Sequence, residues 1–132
     1  MAVMGTYRAK LVWNRGKEGT LTTRGNPAVR VAPPPEFGGP ADQWSPEELL
    51  AASLGSCVMT TTLYFLNRAE VQLRSYESET TGVLEKTRDG LQFTSFTVRL
   101  TLAVGTPEAE EEARRCLSLA EASCPVSKAL QC

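Results

Sequence analysis

A chain of 132 residues with 14 basic and 15 acidic side chains is close to neutral and long enough for one domain with its own core. That balance speaks against nucleic acid as a partner. The absence of histidine excludes Ser-His-Asp and Cys-His nucleophile pairs, His-ligated zinc and HExxH chemistry together. The four cysteines (57, 116, 124 and 132) contain no C-x-x-C pair, so a cysteine-only zinc site is not expected either. Any chemistry has to use thiols, carboxylates and Lys or Arg.

Met1 to Gly5 shows no basic-then-apolar signal, which leads us to expect a cytoplasmic protein, where lasting disulfides are rare. Tyr7, Ala9, Leu11 and Trp13 alternate with Arg8 and Lys10, the pattern of a half-buried strand. Asn14-Arg15-Gly16-Lys17-Glu18-Gly19 reads as a hairpin turn. Short strands are expected over 21–23 and 28–31. Pro33-Pro34-Pro35-Glu36-Phe37-Gly38-Gly39-Pro40 is expected to be a loop, neither helix nor central strand.

A central helix is predicted over 46–69. Ser45 is the N-cap, Pro46 takes the first helical position, and Glu47 and Glu48 face the positive helix end. Its apolar residues do not keep to one face, so the helix should be enclosed on most sides. The uncharged run from Leu49 to Asn67 holds several Ser and Thr residues, which reads as too polar for a bilayer span. Two long strands over 71–86 and 91–104 are expected, joined at Arg88-Asp89-Gly90. Phe96, Val98, Leu100, Leu102 and Val104 give the cleanest period-two signal in the chain. A second helix opens at Thr106-Pro107-Glu108, acidic early and basic later, and ends near Ser123. A short helix follows from Pro125. Strands, helix, strands and helices in that order indicate an α+β fold with a largely antiparallel sheet, in a single domain over 1–132.

Cys57 ends a small-residue stretch of the central helix, and Cys124 precedes Pro125 at an expected N-cap, where a thiolate is stabilised. Two such thiols could form a peroxidatic or disulfide-exchanging pair, but only tertiary structure could bring them together. Free cysteine also packs commonly as a small apolar residue, and both readings stand on the residues alone. Glu47 lies ten residues before Cys57, about 15 Å along the axis, so its carboxylate cannot reach the thiol of its own chain. It is either an ordinary first-turn acid or half of a site completed from elsewhere, such as a second subunit. The cations of the Arg15–Lys17 turn could lower a thiol pKa or simply be solvated. Cys116 reads as core, and Cys132 as a mobile chain end. Trp13, Phe37, Trp44 and Tyr64 are either pocket lining or ordinary anchors.

Ser45-Pro46-Glu47-Glu48-Leu49-Leu50-Ala51-Ala52 leading to Cys57, the Pro35-Glu36-Phe37-Gly38-Gly39 loop and Cys124-Pro125-Val126-Ser127 resemble the OsmC/Ohr family. These are the osmotically inducible and organic hydroperoxide resistance proteins. The resemblance implies an OsmC-like sheet wrapped around a long central helix, in an intertwined homodimer with two sites at the subunit interface. It implies that Cys57 is the peroxidatic thiol, that Cys124 resolves its sulfenic acid to a Cys57–Cys124 disulfide, and that Glu47 holds an activating arginine. It implies hydroperoxide as substrate, an external dithiol as reductant, and no metal or organic cofactor. The chain departs from the pattern at the cation. Lys17 stands where the Ohr-type arginine is expected, with Arg15 two residues earlier, and the OsmC-type arginine has no convincing match, Arg30 coming nearest. Lysine brings charge without the planar fork of arginine. The chain also stops soon after Cys124, where family members usually continue into a final strand, so that sheet edge is expected to be shorter or covered by the partner subunit. A non-catalytic dimer that binds an apolar or thiol-bearing small molecule is the alternative, and a purely structural subunit a third.

Overall fold

Ser45 starts the long helix α1 (Pro46–Arg68) through a reciprocal pair of hydrogen bonds. In the computed structural model, which describes residues 2–131, the Ser45 hydroxyl accepts from Glu48 N–H at 3.1 Å. The Glu48 carboxylate in turn accepts from the Ser45 hydroxyl at 2.9 Å and from Ser45 N–H at 3.2 Å. This is the capping box, which satisfies two otherwise orphaned donors at once. The chain forms two compact units, Met1–Leu49 and Leu50–Cys132, and the division falls in the first turn of α1.

The first unit holds an antiparallel sheet in the order β1 (Lys10–Arg15), β2 (Glu18–Thr22), β3 (Val29–Val31). The first strand begins later than its alternating pattern predicts, at Lys10 rather than Tyr7. It is also exposed along its whole length instead of half-buried. An edge strand has only one paired neighbour, and Trp13 remains 71% exposed. The β1–β2 turn is tight: Arg15 pairs with Glu18, and Gly16 takes a φ of +52°, which suits a primed hairpin turn. The proline-rich loop differs from expectation by containing one 3-10 turn, Pro35–Phe37. Proline is tolerated there because the first helical positions have no partner for an N–H. Gly38 ends it at φ +87°, and a Cβ on Gly38 would sit 2.7 Å from Lys17 Nζ.

In the second unit α1 continues and is followed by β4 (Leu73–Thr87) and β5 (Gly90–Val104), an antiparallel ribbon. The turn is Arg88–Asp89, with Gly90 at φ +105°. Phe96, Val98, Leu100, Leu102 and Val104 are half-buried and alternate with exposed Thr97, Arg99 and Thr101, as the period-two pattern requires. Next come α2 (Pro107–Ser123), capped by Thr106, whose hydroxyl accepts from Ala109 N–H at 3.1 Å, and α3 (Pro125–Leu130). Leu66, Ala113 and Cys116 form a buried cluster, with Phe65, Val71, Leu73, Leu102 and Val104 packed against it. Cys116 is core, as its helical neighbours suggest. Cys132 lies outside the described residues.

Two expectations for α1 are corrected. Only Leu54, Gly55, Thr62 and Leu66 of the helix are buried, while Leu63 and Tyr64 are exposed. A single chain therefore does not enclose it. By length and composition alone α1 is also long and apolar enough to cross a membrane, a test that the core helix of a soluble protein passes as well. Its hydroxyls do not offset this, because they bond within the helix. Ser56, Thr60 and Thr62 donate to the carbonyls of Ser53, Cys57 and Val58 at 3.1, 3.2 and 2.7 Å.

Candidate active site

Gly55 decides how closely α1 approaches the β4–β5 ribbon. A Cβ at this position would lie 2.5 Å from Thr80 Oγ1, so the helix could not seat as it does with a larger residue. Two residues on, α1 presents Cys57, half-buried, with the Thr61 hydroxyl one turn later at 3.9 Å from its sulfur. Cys124 occupies the joint between α2 and α3. It closes the first helix and caps the second in an extended conformation (φ −67°, ψ 115°), and it is fully buried. Pro125 makes that joint, because proline cannot continue α2 but is preorganised to open α3.

These two elements bring Cys57 Sγ and Cys124 Sγ to 2.9 Å across 67 residues of sequence. Both thiols are free, and the gap exceeds the roughly 2.05 Å of a disulfide bond. In the neutral pair the Cys124 thiol donates toward Cys57. The pair does not share the burden of ionisation equally. Burial, and then the hydrogen bond to Cys124, push the Cys57 thiol above its ordinary range. Burial also works against ionising Cys124, but hydrogen bonds from Cys57, from the Ser127 hydroxyl and from the Ser127 and Val126 N–H groups outweigh it and lower its pKa. Once one proton is lost, the charge settles on Cys124 and the Cys57 S–H donates to it.

Lys17 sits on the β1–β2 turn, where its ammonium donates to the Phe37 carbonyl at 3.3 Å. Beside it, Glu18 accepts from Gln43 at 2.6 Å and from Asn14 at 3.1 Å. Those two bonds, followed by the charges of Arg15 and Arg30, hold its carboxyl below the usual range. Glu47 is in the first turn of α1, and its Oε1 is buried without a hydrogen-bond partner among the described residues. The sequence reading did not single out Thr61 or a separate role for Ser127. The signals were present, since Thr61 is one helical turn from Cys57 and Ser127 completes a C-x-x-S spacing. Trp13, Phe37, Trp44 and Tyr64 are all exposed. A cavity of about 560 Å³ in the second unit is lined instead by Leu54, Val58, Phe96, Val98, Leu100, Leu117 and Ser127 among others. It includes the immediate neighbour of Cys57 but neither sulfur.

The architecture is shared with solved OsmC-like structures. An OsmC-like protein of unknown function from Vibrio cholerae matches with a TM-score of 0.85 at 19% identity, over 97% of this chain and 95% of that one. An organic hydroperoxide resistance protein from Elizabethkingia anophelis matches at 0.77 and 21% identity, over 98% and 90% of the two chains. An organic hydroperoxide resistance protein from Legionella pneumophila also matches at 0.77, with 23% identity over 98% and 92%. Among curated proteins, the uncharacterized YmaD of Bacillus subtilis is 23% identical over 121 residues, covering 89% of this chain and 80% of its own length. The family model for OsmC-like proteins matches residues 39–132, which includes both cysteines and Glu47 but not Lys17, Arg15 or Arg30. With that model spanning most of the chain and the fold agreeing over 97% of it, the chain belongs to the OsmC-like protein family.

Proposed function

We propose that this protein is a thiol-dependent peroxidase that reduces organic hydroperoxides through Cys57 and Cys124. The observation that carries the reading is the 2.9 Å separation of two free thiols on different elements. The printed names of two structural relatives, both organic hydroperoxide resistance proteins, support the substrate class.

The chemistry follows from the proton inventory of the pair. Cys57 is the more exposed of the two cysteines and attacks the distal peroxide oxygen, while its proton passes to the Cys124 thiolate. The O–O bond breaks, the alkoxide takes a proton from water and leaves as the alcohol, and Cys57 becomes a sulfenic acid. Cys124 then attacks Cys57 Sγ, and its proton leaves with the hydroxyl group as water. One hydroperoxide is reduced and one disulfide formed. Thr61 holds the Cys57 sulfur from the next turn of α1. An external dithiol restores the thiols.

We place the site at the interface of a homodimer. Glu47 Oε1 is a buried acceptor without a donor among the described residues, and α1 keeps exposed apolar side chains, Leu63 and Tyr64. A cation from a second subunit would satisfy the first, and its surface would cover the second. Lys17 remains the candidate activating cation, with Arg15 and Arg30 as the other choices. The reading requires no metal or organic cofactor and places the protein in the cytoplasm. Mass spectrometry after one equivalent of cumene hydroperoxide tests the activity. A loss of two hydrogen atoms per chain, mapped to Cys57 and Cys124, is expected, and thiols that stay reduced would overturn it.

The apolar cavity beside Val58 favours one second reading, a dimer that binds an apolar small molecule without turnover. Tight binding of such a ligand with both thiols unchanged is its signature.

A further inference from the structure

We propose that the reductant which recycles the oxidised protein attacks Cys57 Sγ and displaces Cys124, so that the covalent intermediate forms on Cys57 and not on Cys124. The proposal deepens the peroxidase reading and rests on it only for the source of the disulfide.

Thiol–disulfide exchange requires the incoming sulfur to reach bonding distance of the sulfur it attacks, about 2.05 Å at the end of the step. Cys124 has no exposed surface. It is sealed by its own chain, at the joint of α2 and α3, so adding a second subunit does not open it. Cys57 keeps part of its surface open on α1. Access alone therefore separates two sulfurs that are chemically alike.

The leaving side favours the same direction. A thiol that carries negative charge easily leaves faster. When the disulfide opens, charge on Cys124 meets the N–H groups of Val126 and Ser127 and the Ser127 hydroxyl. The Cys57 side has the Thr61 hydroxyl at 3.9 Å and the Val126 N–H that it shares with Cys124, while both Ser127 donors belong to Cys124 alone.

The steps balance with a dithiol as reductant. One thiolate of the dithiol bonds to Cys57 Sγ, the Cys57–Cys124 bond breaks, and its electron pair leaves on Cys124. The second thiol of the reductant then attacks its own sulfur in the mixed disulfide and closes the reductant's disulfide. Cys57 is released and takes a proton. Two electrons and two protons pass to the protein. A monothiol lacks the second step, and the Cys124 thiolate beside Cys57 can expel it again.

The test uses the full chain carrying Cys116→Ser and Cys132→Ser, oxidised with diamide, so that a protein inert to hydroperoxides is still tested. Excess 2-mercaptoethanol is added, the mixture is quenched in acid at short times, free thiols are alkylated, and adducts are mapped by mass spectrometry. The adduct should fall on Cys57 over Cys124 by about tenfold or more, and an equal or larger share on Cys124 would overturn the proposal. If re-attack by Cys124 prevents accumulation, the folded single-thiol proteins decide. The Cys124→Ser protein should react with an aromatic disulfide about tenfold faster than the Cys57→Ser protein, and comparable rates would sink the idea. Failure of the hydroperoxide assay with Cys57-selective exchange intact would remove the peroxidase reading alone.

Discussion

The two thiols differ less in their chemistry than in what surrounds them. Cys57 projects from the middle of a helix, where the backbone N–H groups are already used. Cys124 sits at a break between helices, where the Ser127 N–H and hydroxyl bond its sulfur alone and the Val126 N–H serves both sulfurs. The pair should therefore lose its first proton below the ordinary thiol range and its second above it, as two steps that belong to both residues. In the Cys116→Ser, Cys132→Ser background, ultraviolet thiolate absorbance against pH should show these steps. Cys124→Ser should remove the early one. Because the mechanism uses Cys124 as the base for Cys57, the same substitution should slow the first oxidation as well as leave Cys57 open to overoxidation. A single step at the ordinary thiol range in the parent protein would contradict this account. The sequence pointed to both residues through Cys124-Pro125 and the small residues before Cys57. It could not assign the charge between them, because that depends on which N–H groups point at which sulfur.

Among the elements, α1 is the one whose start is written most plainly in the chain. Ser45, Pro46 and Glu48 are local signals, and they act within one turn. Ser45→Ala should cost about 1 to 2 kcal/mol of stability, read as a lower midpoint in urea, while Ser45→Asp should retain most of it. Equal midpoints for the two variants would show that the box contributes little. The β5 pattern was legible for a similar reason, since alternating residues on a ribbon with one packed face must point alternately in and out. β1 was less legible. Its apolar residues predicted half-burial, yet the strand is exposed along its length, and alternation cannot say which layer will do the covering.

At the scale of the molecule, exposed Leu11, Val12 and Trp13 on β1 and exposed Leu63 and Tyr64 on α1 are large apolar side chains left in water. Such surfaces are characteristic of association sites. Light scattering behind a sizing column should give the mass of two chains at all practical concentrations, and a monomer mass would remove the dimer and with it the completed Glu47 site. The reach argument for Glu47 was available from helix rise alone, because ten residues of helix cannot fold back on themselves.

What the sequence determined by itself was whatever acts over a few residues: the cap of α1, the break at Pro125, the alternation of β5, and the exclusion of histidine chemistry. The motifs around the cysteines also carried the family. What only the tertiary structure decided was that residues 57 and 124 meet at 2.9 Å, that Cys124 is sealed while Cys57 is not, and that the Lys17 ammonium donates to the Phe37 carbonyl. Those facts depend on how elements far apart in the chain pack, and no local pattern encodes the distance between two side chains that the backbone brings together from opposite ends of a fold.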